Sequence, residues 1–307
     1  MPTLNEVFTR LSMRRRYEVW FLRLGLADGT GAWWFRYLLM NPSRSGVHQL
    51  VQVWATWFPR AGSPQIWIEN FPLESLALSS RHQSPFFFCT GENAIEDNSC
   101  RGHLRVDGHD IAWNLRYTSR FRVTFSNKGW IGFSRTPHSD AVFSGEIRLD
   151  NQVSRGEPLG AGVQGHNCGF RHRHLWTWTH AYFGTPGGEV STLEALTYEM
   201  PLGLTFRKVV LWHGGRPYVF RKLEETQRDR GRLVWNFVAR GQGELQVEVN
   251  GSGPSIHRLP YAKTDGSGTF EVANNSLASA KATFRLPRTS SIALSTDSGA
   301  VVEMVGG

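Results

Sequence analysis

The chain is short of several things for its 307 residues. It has three cysteines, Cys89, Cys100 and Cys168, too few and too scattered for a disulfide framework, and they fit a reducing compartment. Lysine is rare: 29 of the 34 basic residues are arginine. The arginines are dispersed apart from Arg14, Arg15 and Arg16, so the net charge of +8 gives a generic positive field rather than the basic stripe of a nucleic-acid binder. The longest apolar runs, 32–35 and 86–89, fall far below the roughly 20 residues of a spanning helix. No apolar segment with a small-residue cleavage site follows the N-terminus, which makes the cytoplasm the expected location. No dinucleotide fingerprint, P-loop or nucleophile elbow is present, and Gly241-Gln242-Gly243 and Gly251-Ser252-Gly253 read as turns, so no cofactor is expected. Helical periodicity is scarce, with short helices expected only within 5–14 and 73–79.

What is present in excess is aromatic: 12 Trp, 7 Tyr and 19 Phe, set among 32 Gly and 14 Pro. Strict alternation runs through much of the chain. Ile111, Trp113, Leu115 and Tyr117 share one face, and Asn114 and Arg116 the other. Asp107-Gly108 before them reads as a hairpin turn, as does His213-Gly214-Gly215-Arg216 between 208–212 and 217–221. Trp33-Trp34-Phe35 and Val51–Phe58 are apolar on both faces, the mark of strands covered on both sides. Residues 301–305 read as a last strand. These signals predict an all-β chain of barrels or sandwiches. The turn-rich stretch 151–162 places the division between 1–155 and 156–307.

The most informative segment is 164–183. If 172–182 is extended, His172, His174, Trp176, Trp178 and His180 share one face. Three readings fit such a face: a barrel interior with satisfied histidines, the wall of a ligand pocket, or a metal site from His166, Cys168, His172 and His174. No metal signature supports the last, and none is expected. Glu18 and Glu199, each in an apolar strand, are the candidate buried acids, whereas Asp110 beside a hairpin turn reads as solvated. A sugar-cleaving carboxylate pair is not evident, since Glu92, Glu96 and Asp97 lie in a polar loop. Trp113 and Tyr117 lie on the opposite face from Arg116, which argues against a nucleic-acid stacking platform near Arg120.

Asn167-Cys168-Gly169 followed by Trp176-Thr177-Trp178-Thr179-His180 resembles the Asn-Trp-Gly … Trp-x-Trp-x-Gln signature of tocopherol cyclase-like proteins. Cys168 stands where that signature has Trp, His180 where it has Gln, and Arg171-His172 where Phe-Pro is usual. A comparable element occurs in carotenoid 1,2-hydratases and AttH-like proteins. Glu18-Val19-Trp20-Phe21 is similar to the Glu-Trp-Trp-Tyr opening of the AttH-like first strand. The resemblance implies two lipocalin-like (calycin-type) antiparallel barrels in one chain, and acid-catalysed, cofactor-free cyclisation or hydration of an isoprenoid or polyketide-like alkene. On that reading Glu18, His166, His180 and Glu199 are the candidate catalytic residues. Trp20, Trp34, Asn167, His172, His174, Trp176 and Trp178 are the candidate ligand contacts. The implied partner is an apolar small molecule, collected through peripheral membrane contact, with no nucleic acid. A non-catalytic carrier of the same fold and a glycan-binding β protein are the alternatives.

Overall fold

A computed structural model describes residues 4–9, 15–41, 49–80, 85–128, 132–170, 175–185, 188–200, 203–286 and 290–306. Among these residues there is no α-helix; a single 3-10 turn spans Leu73–Ser75. Of the two short helices expected from sequence, residues 5–9 instead run as irregular backbone and 76–78 form a strand. Among the described residues, no helix is long and apolar enough to cross a membrane.

Twelve strands form the first sheet: β1 (Arg16–Leu26), β2 (Gly31–Asn41), β3 (Leu50–Pro59), β4 (Gln65–Phe71), β5 (Leu76–Leu78), β6 (Phe87–Thr90), β7 (Asn93–Glu96), β8 (Ser99–Val106), β9 (His109–Thr118), β10 (Val123–Lys128), β11 (Gly132–Leu149) and β12 (Gln152–Gly169). Their order is β4-β3-β2-β1-β12-β11-β9-β8-β7-β6-β5, with β10 on β11, and β4 approaches β8 so that the sheet nearly closes. Nine strands form the second: β13 (Trp176–Phe183), β14 (Ser191–Glu199), β15 (Thr205–His213), β16 (Arg216–Asp229), β17 (Val234–Gly241), β18 (Gly243–Asn250), β19 (His257–Ala262), β20 (Thr269–Arg285) and β21 (Ile292–Val305). Pairing of β18 with β20 closes eight of them into a barrel, and β19 lies on the edge beside the first half of β20.

The hairpins at Asp107-Gly108 and Gly214-Gly215 form as expected, all four residues taking the positive φ that such turns require. The change of sheet falls between Gly169 and Trp176. The turn-rich stretch around 155 lies inside β12, because its glycines are close-approach sites rather than a linker. A Cβ on Gly165 would meet the Phe21 ring at 2.2 Å.

Strand parity explains why several runs are apolar on both faces. Trp20, Leu22 and Leu24 of β1, with Trp33, Phe35, Tyr37 and Leu39 of β2, fill the first barrel. Their alternates Phe21 and Trp34 pack with Val163, Trp178, Leu196 and Val301 in a separate cluster between the barrels. Full burial of each such ring contributes roughly 2–3 kcal/mol. The second barrel has a lighter filling of Ala181, Leu193, Val209, Leu211, Trp235, Phe237 and their neighbours.

Polar contacts fix the docking of the barrels. The buried Arg23 guanidinium donates to Ser276 O at 3.1 and 2.6 Å and to Ser298 O at 2.6 Å. Thr136 Oγ1 donates to Glu194 Oε1 at 2.7 Å, and Phe121 stacks on Trp212 at 4.7 Å.

Candidate active site in the seam between the barrels

A cavity of about 440 Å³ opens between the two barrels. β1 and β2 supply Tyr17, Val19, Phe21, Trp34 and Arg36, one face of each strand. β13, β14 and β21 supply Trp176, Trp178, Leu196, Tyr198 and Glu303, again one face, because Trp178 pairs with Leu196 on one side and Glu303 on the other. Phe133, Asn167, Phe206 and Tyr261 complete the aromatic and polar lining.

Glu303 is the carboxyl of this wall and is 7% exposed. Tyr261 Oη donates to its Oε1 at 2.9 Å and Asn274 Nδ2 donates to the same oxygen at 3.1 Å. No hydrogen bond reaches Oε2. Burial raises the Glu303 carboxyl above the usual carboxylate range, against the pull of the Asn274 hydrogen bond, the Arg36 charge and the Tyr261 hydrogen bond. Arg36 is 2% exposed and packs against two rings, its Cζ 3.8 Å from the Tyr261 centroid and 4.3 Å from that of Trp54.

A second buried acid, Glu194, stands behind the wall. Trp178 Nε1 donates to its Oε1 at 2.9 Å, alongside Thr136, and Oε2 has no partner. Burial pushes this carboxyl up to about 7. His180, its cross-strand neighbour, donates from Nε2 to Ser139 O at 2.7 Å, while Nδ1 has no partner. Burial pulls His180 down to about 3, so the ring is neutral near pH 7.

The described sequence candidates divide among four places. Trp34, Asn167, Trp176 and Trp178 lie on the cavity wall. His180 shares the face of Trp176 and Trp178 but sits deeper, against β11. Glu18, Trp20 and His166 belong to the opposite face of their strands and point into the first barrel. There Glu18 accepts from the backbone N–H groups of Phe8 (2.8 Å) and Thr9 (2.6 Å) and faces His166 Nε2 at 2.9 Å. Trp20 stacks on His166 and Phe86. Glu199 is exposed at the end of β14 and away from the wall, which corrects its reading as a buried acid. His172 and His174 lie outside the described residues. Among the described residues, no group of three His, Cys, Asp or Glu is placed to hold a metal ion. Asp110 is half-buried and bonded to His103 and Arg148, while Trp113 and Tyr117 point into the first barrel.

Sequence reasoning missed Glu303, Glu194 and Arg36. Val301–Val305 was legible as a strand, and a lone carboxylate within it was the available signal for Glu303. Nothing local marks Arg36 or Glu194 as facing the seam.

No protein-family model matches the chain, and no curated protein matches it in sequence. Solved structures do match in fold. An AttH-like protein of Nitrosomonas europaea aligns with a TM-score of 0.55 at 12% identity, over 95% of this chain and 92% of that one. Kievitone hydratase from Nectria haematococca aligns at 0.56 and 11% identity, over 99% and 95%. CghA, solved with Sch210972, aligns at 0.59 and 10% identity, over 95% and 88%. The chain has the two-barrel fold of these proteins over nearly its whole length.

Proposed function

We propose that the seam cavity binds a small apolar ligand of isoprenoid or polyketide-like character, and that Glu303 protonates an alkene of that ligand in a cofactor-independent hydration or cyclisation. The observation that carries this reading is the placement of Glu303: a buried carboxyl, held toward its neutral form, lies on the wall of an aromatic-lined cavity with both of its hydrogen bonds on one oxygen. In the proposed step Oε2–H gives its proton to one alkene carbon and the other carbon becomes a cation. The faces of Trp34, Trp178 and Phe21 stabilise it, each by about 2 kcal/mol when desolvated. An oxygen of water, or of a hydroxyl on the ligand itself, bonds to the cation. Its surplus proton returns to the Glu303 carboxylate, so the protein ends unchanged. The name of kievitone hydratase describes a hydration, and CghA was solved with Sch210972. Both support small-molecule chemistry on this frame.

The test is titration of Trp fluorescence with retinol and geranylgeraniol, followed by mass analysis of the incubated ligands. Saturable quenching, with a product heavier by one water or an isomer of the ligand, is the expected result. Quenching without product over days would point to a carrier of the same fold. Quenching that survives intact in both Trp176→Ala and Trp178→Ala would place binding outside the seam.

A further inference from the structure

Arg36 has no function in the chemistry above, yet it is the least satisfied cation of the cavity wall. Nη1 is buried without a hydrogen-bond partner, and no acceptor or ion-pair partner for the guanidinium is found among the described residues. The other guanidinium buried at the seam, Arg23, is treated differently by the fold, with carbonyl oxygens of Ser276 and Ser298 at its N–H groups. For Arg36 the neighbours are rings: Trp54 and Tyr261 lie 4.3 and 3.8 Å from its Cζ and 5.6 Å from each other, so they flank the group on adjacent sides. Ring contacts hold the cation but offer its N–H groups no oxygen acceptor, and Nη1 stays without one. A buried cation in that state is costly unless something completes it. Glu303 feels the charge of Arg36 but makes no hydrogen bond to it, accepting instead from Tyr261 and Asn274.

We infer that the ligand of this cavity carries an anionic oxygen, a carboxylate or an enolate, that docks on the in-plane donors of Arg36. This deepens the ligand-binding reading above and rests on it. Guanidinium geometry suits such a group because two parallel N–H donors match two oxygens or one oxygen shared between them. The Tyr261 ring then links the two polar ends of the site, its face on Arg36 and its hydroxyl on Glu303. The ligand head sits beside the acid, and its apolar remainder lies along Phe21, Trp34 and Trp178.

Retinoic acid and methyl retinoate, which share a skeleton and differ in head-group charge, separate the possibilities by Trp-fluorescence titration. The wild-type protein is expected to bind the acid at least tenfold more tightly than the ester. Arg36→Gln should lower affinity for the acid tenfold or more and change that for the ester by less than twofold, with Arg36→Lys intermediate. The acid–ester comparison on wild-type protein stands even if a variant does not fold. Equal affinities for the two probes, or an Arg36→Gln protein that keeps the preference for the acid, would overturn the Arg36 assignment and leave the cavity reading in place. Failure of both probes to bind wild-type protein would overturn the two together.

Discussion

Two buried glutamates, one in each barrel, are built to opposite ends. Glu18 is 0% exposed and points into the first barrel, where two backbone N–H groups and His166 surround its oxygens. His166 Nδ1 donates to Leu4 O at 2.8 Å, so the pair also fixes the N-terminal segment. Glu303 is nearly as buried, but it lines the cavity, and both of its donors reach one oxygen while the other takes none. Burial alone therefore does not mark a reactive acid. The placement of the donors, and whether the carboxyl lines a cavity, separate a structural anchor from a proton source.

Replacement of Glu303 by Gln is the sharpest way to break this comparison. It should lower turnover of any substrate found by about 10²–10⁴-fold, with binding changed only a few-fold, as product analysis and fluorescence titration would read out. Turnover that persists would assign the acid elsewhere. Glu18→Ala should act on stability instead. Leaving His166 and two backbone donors unpaired costs about 3–5 kcal/mol, measured by urea unfolding. A loss below about 1 kcal/mol would contradict its role as an anchor.

Glu194 gives a pH-dependent contrast. Its carboxyl sits at about 7 in the folded chain against an ordinary 4.5. Between those values the unfolded chain gives up a proton that the folded one keeps, so this group's contribution to stability is complete below about 4.5 and is lost as pH rises to about 7. Gln at this position removes that loss. Relative to wild type, the variant should gain about 3 kcal/mol between pH 4.5 and 8 in unfolding experiments. His180, shifted the opposite way, contributes equally to both proteins and cancels. A pH-independent difference would show that Glu194 ionises normally. The smallest effect is expected at the exposed Glu199, where Gln should change stability by less than about 0.5 kcal/mol and leave turnover intact.

The limits of sequence reading follow from the geometry of strands. Alternation over 176–180 correctly grouped Trp176, Trp178 and His180 on one face, because a strand's period is local. Alternation does not say which face meets what. Glu18 was grouped with the catalytic candidates and Trp20 with the ligand contacts, but the seam takes Tyr17, Val19 and Phe21 from the other side of the same strand. Both faces of β1 are apolar since both are covered, so hydrophobicity could not choose between them. Glu303 reaches the site through register: Trp178 opposes it across about 125 residues of chain, and such pairing is set by closure of the whole barrel. The all-β architecture and its hairpins were legible because turn chemistry is local.

The Arg23 clamp has a thermodynamic consequence for any occupant of the seam. The cavity exists only while β1 and β2 are held against β13 and β21, and Arg23 is one of the contacts holding them. A ligand touching both walls binds the docked form and not the separated one. At a free concentration of 100 times its Kd it would add about 2.7 kcal/mol to the docked state. Loss of the clamp in Arg23→Met would then appear first as weaker affinity, and saturating ligand would restore the melting temperature that the substitution removes. Affinity and barrel docking are two readings of a single linked equilibrium.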